Sequence, residues 1–249
     1  AYPYWGATHY VEGYGWRNAD LTAGHFLFST AMVYHWLKDE LQDETCTYVI
    51  GQDGTAETVV ITQNMPILEA MEHRLWYVCD EMFNQSTRYD VYIMNHCHVR
   101  MGGLLAATIA LRGDAHTAQD REKLIKYTGM VMYKDGLGMN SLMPDGTSQE
   151  GVPYWEYAAE WLIKAGVMIR NTYGIDLFET TRVLEHSGDY VLYNLLPQDS
   201  WTSTNSVLNV GDSPTNHWYG PANILRFIAA EYGDANALWL AQSIEAAGI

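Results

Sequence analysis

The chain has 249 residues, 48% of them hydrophobic, enough for one large domain with an ample core. Its 14 Lys and Arg stand against 30 Asp and Glu, a formal net charge of −16, which excludes the basic footprint that nucleic acid or an anionic membrane surface requires. No apolar run reaches the roughly 20 residues of a membrane span, and Cys46, Cys79 and Cys97 fit no zinc or redox spacing.

Helical periodicity dominates from Leu21 onward. Residues 21–41 carry apolar side chains at i, i+3 and i+4 and end in a charged turn, which predicts a long helix with one buried face. The β-branched stretch 45–62, with its Gly-Gln-Asp-Gly turn, reads as an irregular or hairpin insertion. Pro66 stands where a first-turn proline belongs and opens a helix over 67–83. The next helix runs over 96–113, with Asn95 as its N-cap and Gly113 as its stop. Further helices are predicted over 118–133, 152–174 and 176–196, then over 219–233 and 234–247 after a polar loop. Seven or eight helices with short connections and no strand-helix alternation predict an all-α chain of antiparallel helix pairs. No Pro/Gly/Ser-rich linker divides it, so 1–249 reads as one domain.

Three stretches concentrate chemistry. In Asn95-His96-Cys97-His98, both imidazoles fall in a helical first turn, where the positive end of the helix dipole favours a neutral ring able to act as base or donor. Two positions apart on a helix, His96 and His98 do not share a face, which argues against a zinc site built from both. Gly102-Gly103 weakens the same helix by roughly 1 kcal/mol per glycine, a loss that makes sense where another backbone approaches closely. In the second stretch, 144–161, Asp145-Gly146 makes a turn, Glu150-Gly151 follows, and Pro153 starts a helix whose first turn presents Tyr154, Trp155 and Tyr157. The third, 212–221, brings His217, Trp218 and Tyr219 into a polar loop before a Gly-Pro stop. Aromatics are 18 Tyr and 9 Trp against 5 Phe, and rings with polar edges suit a carbohydrate cleft as well as core and rim packing.

At these residues the chain resembles the catalytic domain of heparinase II/III-like polysaccharide lyases, with motifs close to the dermatan sulfate epimerase group. Four stretches in order carry the resemblance. They are the helix with Leu21, Gly24, Ala31, Tyr34, Trp36 and Leu37; Asn95-His96 followed by 102–107; Asp145-Gly146 with Glu150-Gly151-Val152 and Tyr154; and Asn216 to Pro221. The resemblance implies an incomplete (α/α) toroid whose cleft binds an acidic polysaccharide, in a secreted, periplasmic or secretory-pathway protein. Members attack the C5 proton of hexuronic acid residues, which lies α to a carboxylate that must be neutralised while a base removes the proton. Carried over by position, His96 matches the catalytic histidine, Tyr154 the catalytic tyrosine, and Asn95 the residue that neutralises the carboxylate. Such enzymes generally continue into a C-terminal β-sandwich, and some take a further histidine from it. The chain therefore reads either as a piece incomplete at both ends or as a minimal relative in which His217 substitutes.

The expectation is thus a polysaccharide lyase acting on alginate or a glycosaminoglycan by β-elimination, without metal or other cofactor. Its catalytic residues are His96, Tyr154, Asn95 and His217, and its substrate-binding residues Arg100, Glu150, Trp155, Tyr157, Trp218 and Tyr219. Arg17, Arg100 and Arg170 are candidates to offset the acidic charge near a polyanion. The alternatives are a uronyl C5-epimerase using the same residues, a toroid glycoside hydrolase using Asp145, Glu150 or Glu156, and a carbohydrate-binding module.

Overall fold

The structure, a computed structural model, describes residues 21–49, 62–88, 95–134, 142–198, 201–202, 206–208, 210–211 and 221–248. These residues are mostly helical, with nine α-helices and one two-stranded sheet among them, as the all-α expectation holds at that level. The chain divides into two compact units, the first from residues 1–90 and 99–131 and the second from 91–98 and 132–249. No helix among the described residues is long and apolar enough to cross a membrane.

In the first unit, helix α1 (Leu21–Trp36) buries Ala23, Leu27, Ala31 and Tyr34 along one stripe. Strands β1 (Thr45–Val49) and β2 (Thr62–Pro66) pair antiparallel, with Thr45 opposite Pro66; β1 falls in the stretch read as an irregular or hairpin insertion, whereas β2 lies almost wholly after it, and the Gly-Gln-Asp-Gly turn lies outside the described residues. Helix α2 (Ile67–Arg88) follows directly, so Pro66 closes a strand immediately before the helix instead of entering its first turn. Helix α3 (His96–Ala110) ends in a 3-10 turn at Leu111–Asp114, and α4 (Ala118–Lys134) returns along the unit. Two carboxylates tie these helices together. Asp80 of α2 accepts from Lys123 Nζ at 2.5 Å and from the Tyr127 hydroxyl of α4, and Asp114 accepts from Tyr34 Oη at 2.9 Å and Lys38 Nζ at 2.6 Å.

The glycines of α1 and α3 explain the packing between them. A Cβ added at Gly103 would lie 2.4 Å from the Gly24 carbonyl oxygen, and one at Gly24 would lie 2.8 Å from the Val99 carbonyl oxygen. Backbone here meets backbone, which is the close approach that the Gly102-Gly103 pair predicts.

The second unit is built on α5 (Val152–Tyr173), α6 (Leu177–Thr181), α7 (Ser187–Tyr193), α8 (Ala222–Tyr232) and α9 (Ala235–Ala247). Trp155, Ala159 and Leu162 of α5 pack with Phe178, Leu184, Val191, Leu225, Ile228, Leu240 and Ile244 in one apolar core. Asp176 and Asp234 cap α6 and α9 by accepting two backbone N–H groups each, and Gly174, Gly233 and Gly248 take left-handed conformations that end α5, α8 and α9.

The single helix expected over 176–196 is broken. Thr180 and Thr181 turn their hydroxyls back onto the carbonyls of Asp176 and Leu177, and Arg182 adopts a left-handed φ of 51° that no helix interior accommodates. Arg170 is also reassigned. Its guanidinium donates to Asp176 at 3.1 Å and Glu231 at 2.8 Å, so it ties α5 to its neighbours and is not held out as a cation for a polyanion.

Gly103→Ala should lower stability by about 1–3 kcal/mol, because the new methyl must displace backbone. Gly129→Ala, at an α4 position with open space around it, should instead raise stability by up to about 1 kcal/mol. Denaturant unfolding of the two variants checks both signs.

Candidate functional site

The loop before α5 is shaped by its own turn chemistry and clamped from two sides. Asp145 Oδ1 accepts from the Thr147 amide at 3.1 Å and its hydroxyl at 2.7 Å, while Met143 and Thr147 pair at 2.8 Å. Those two Thr147 donors hold the exposed Asp145 carboxyl below the usual carboxylate range, so it stays ionised within its own turn. Gly146 has a φ of +82°, and a Cβ there would lie 2.4 Å from the carbonyl carbon of His186. Tyr190 of α7 donates its hydroxyl to the Ser148 carbonyl at 3.1 Å. From the other side, a Cβ on Gly211 would lie 2.1 Å from the Gln149 carbonyl oxygen. Gly151 then turns into α5 at a φ of +87°, with Pro153 in the first helical turn.

What this clamped loop delivers is Glu150. One carboxylate oxygen accepts from the backbone N–H of Asn95 at 2.6 Å, and the other accepts from Asn95 Nδ2 at 2.9 Å. The two residues are 55 positions apart in the chain, and only 5% and 2% of their surfaces are exposed. A buried carboxylate is tolerated here because two N–H groups satisfy it and because it faces the positive end of α3.

The clasp corrects two expectations. Asn95 does not cap α3 with its side chain, since its Oδ1 is buried without a hydrogen-bond partner; only its backbone carbonyl accepts, from the His98 amide at 3.1 Å. Glu150, expected to bind substrate, turns its oxygens inward to Asn95 and anchors the start of α3.

Through this contact the start of α3 is tied to the loop that leads into α5. His96 is the residue after Asn95 and the first of α3; Tyr154 is the third residue of α5, four positions beyond Glu150. Both side chains are half-buried. Cys97 and His98, the next two residues of α3, are buried.

A pocket of about 400 Å³ opens along the first turns of α5, lined among the described residues by Tyr154, Glu156, Tyr157 and Glu160. Burial, and secondarily the Glu160 carboxylate, pushes the Tyr157 phenol up to about 12, so at neutral pH it is a hydrogen-bond donor and not a base. Glu160 also takes Lys164 Nζ at 2.5 Å. Glu156 was expected at a site only under the hydrolase alternative and Glu160 not at all, although helical spacing puts Glu160 one turn from both Glu156 and Tyr157.

Trp155 is fully buried, edge-on to Tyr190 in the core, because one residue along the helix rotates it away from the face of Tyr154; it offers no surface for a sugar. Arg100 is buried and belongs to the first unit. His217, Trp218, Tyr219 and Arg17 lie outside the described residues.

Glu150→Ala should lower stability by roughly 2–5 kcal/mol, since it strands two buried donors at about 1–3 kcal/mol each, and chemical denaturation measures this. A second expectation concerns alkaline pH. Burial pushes Tyr157, Tyr190 and Tyr232 up to about 12, helped at Tyr157 by the Glu160 carboxylate and opposed at Tyr190 and Tyr232 by hydrogen bonds to the Ser148 and Leu184 backbone. Each folded-state pKa lies above the unfolded value of about 10, so the stability these phenols contribute is complete below about pH 10 and is lost as pH rises toward their folded values. Unfolding midpoints should therefore fall across that window, with tyrosinate absorbance rising in step.

In comparisons with known proteins, no family model matches the chain and no curated protein matches it.

Proposed function

We propose that this chain is the catalytic part of a polysaccharide lyase that cleaves a uronic-acid-containing polymer by β-elimination, with its helices arranged as an incomplete (α/α) toroid in a secreted or periplasmic protein. The observation that carries the reading is the Asn95–Glu150 clasp. It joins the residue before His96 to the residue four positions before Tyr154, the two residues that the motif resemblance marks as catalytic.

The chemistry follows from their placement. At the α3 N-terminus the helix dipole favours the neutral form of the His96 imidazole, a base suited to taking the C5 proton of a uronate. The electron pair left at C5 forms the C4–C5 double bond as the C4–O4 bond breaks. The Tyr154 phenol gives its proton to the departing O4. An enolate-like transition state places extra charge on the uronate carboxylate, which hydrogen-bond donors must offset. Asn95 Nδ2 has two N–H groups; Glu150 fixes the amide through one, and the other is the donor this role requires.

The pocket carboxylates weigh against hydrolysis. Glu156 and Glu160 stand one turn apart on the same helix, whereas glycosidase carboxylates flank the scissile bond from two sides.

Incubation with a panel of uronic-acid polymers, followed by ultraviolet absorbance, tests the proposal. A conjugated uronate should accumulate, and Tyr154→Phe and His96→Ala should each slow its appearance by about 10²–10⁴-fold. No absorbance but solvent deuterium at C5 would make the enzyme a uronyl epimerase instead. New reducing ends without absorbance would indicate hydrolysis, and binding without any product a carbohydrate-binding module.

A further inference from the structure

The Asn95 amide that the proposed chemistry uses is held by Glu150, and Glu150 is itself held. Its backbone N–H donates to the Ser148 hydroxyl oxygen at 3.3 Å, and the Ser148 carbonyl accepts from the Tyr190 hydroxyl at 3.1 Å. With the 2.9 Å bond from Asn95 Nδ2 to Glu150, four residues form one hydrogen-bonded series that runs from α7 to the start of α3. None of the four is more than 8% exposed, so water competes little for these bonds and each counts fully toward fixing its neighbour.

The α7 end of the series is the anchored one. The Tyr190 ring lies edge-on to the fully buried Trp155, 6.5 Å between centroids. Two residues earlier, a Cβ at Gly188 would lie 2.7 Å from Asp234 Oδ2, so α7 sits directly on the start of α9. Ser187, one turn before Tyr190, donates to the Gly146 carbonyl at 3.3 Å and gives the loop a second hold on the same helix. The bonds of the Asp145–Thr147 turn are internal to the loop; they fix its shape without fixing its place. Burial raises the Tyr190 phenol to about 12, so it remains a donor at neutral pH.

We infer that Tyr190 is a positioning residue for the site: through Ser148 and Glu150 it sets the direction of the Asn95 amide, three hydrogen bonds away. The catalytic consequence rests on the lyase reading, in which the remaining Asn95 Nδ2 N–H meets the uronate carboxylate. The positional consequence does not, since it concerns the amide itself.

Tyr190→Phe tests this with little threat to folding, because it removes one oxygen and keeps the ring against Trp155. In proton–nitrogen NMR of the full chain, the Asn95 side-chain amide should shift and exchange with solvent severalfold faster in Tyr190→Phe than in the wild type. Ser148→Ala, which cuts the same series one step nearer, should do likewise, and the double variant should be little worse than either single one. Tyr232→Phe is the control. It removes a part-buried phenol bond in the same unit, to the Phe178 carbonyl at 3.4 Å, that lies outside the series, and it should leave the Asn95 signal in place. On a uronic-acid polymer that the wild type cleaves, Tyr190→Phe should lower kcat about ten- to a hundredfold with KM nearly unchanged, whereas Tyr232→Phe should alter neither.

The inference is overturned by an Asn95 signal that Tyr190→Phe leaves unmoved, by an equal effect of Tyr232→Phe, or by effects of Tyr190→Phe and Ser148→Ala that simply add. A cleaving wild type whose kcat survives Tyr190→Phe overturns it as well. The expected NMR changes in a chain that yields no unsaturated product would leave the positioning role standing and overturn the lyase reading alone.

Discussion

A single buried carboxylate organises the second unit's candidate site. Glu150 holds the backbone and side-chain amides of Asn95 with its two oxygens and so joins the start of α3 to the loop before α5. The interaction is favourable because the carboxylate lies at a helix N-terminus with both donors supplied; stripped of either partner it would be an uncompensated charge in a dry interior. The glycines nearby serve its delivery. Positive φ angles at Gly146 and Gly151 bend the loop, and the bare Cα atoms of Gly146 and Gly211 let backbone from α7 and from residue 211 press against it. Rigidity at this point is therefore built from backbone contacts, which side-chain fluctuations do not loosen.

From that anchor the division of labour in the proposed enzyme follows. The helix mouths carry the proton-handling groups, His96 on one and Tyr154 on the other, and the next turn of α5 carries the pocket. Adjacent positions on α5 have opposite fates because each residue advances about 100° around the helix. Trp155, Ala159 and Leu162 enter the apolar core, while Tyr154 and Tyr157 remain half-buried at the pocket. The core thereby fixes the orientation of the helix that presents the site.

Much of the helical framework was legible in the residues. Periodicity with capping signals located α4, α5 and α9 to within a residue, and α8 to within three, because Gly174 and Gly233 stop helices in left-handed conformations and Asp234 starts one. Gly103 announced a close backbone approach for the same reason, a local cost that only packing recovers. The break at 181–186 was not legible, since Thr180, Thr181 and Arg182 suit a helix end no better by composition than its interior. Long-range pairings were also hidden. Asn95 looked like a side-chain cap because local rules favour it there; its amide went instead to a partner 55 positions away, which no local pattern encodes. Trp155 and Tyr154 were both read as ligand-facing because the rotation of α5 relative to its core was unknown.

The central claim is that the His96 imidazole and the Tyr154 phenol act on one uronate. A crystal structure of Tyr154→Phe with a uronic-acid oligosaccharide bound addresses it most directly. The account predicts a uronate whose C5 lies about 3–3.5 Å from a His96 ring nitrogen and whose O4 lies at the edge of the ring at position 154. A sugar chain bound away from both residues, or the two side chains opening into separate cavities, would contradict it.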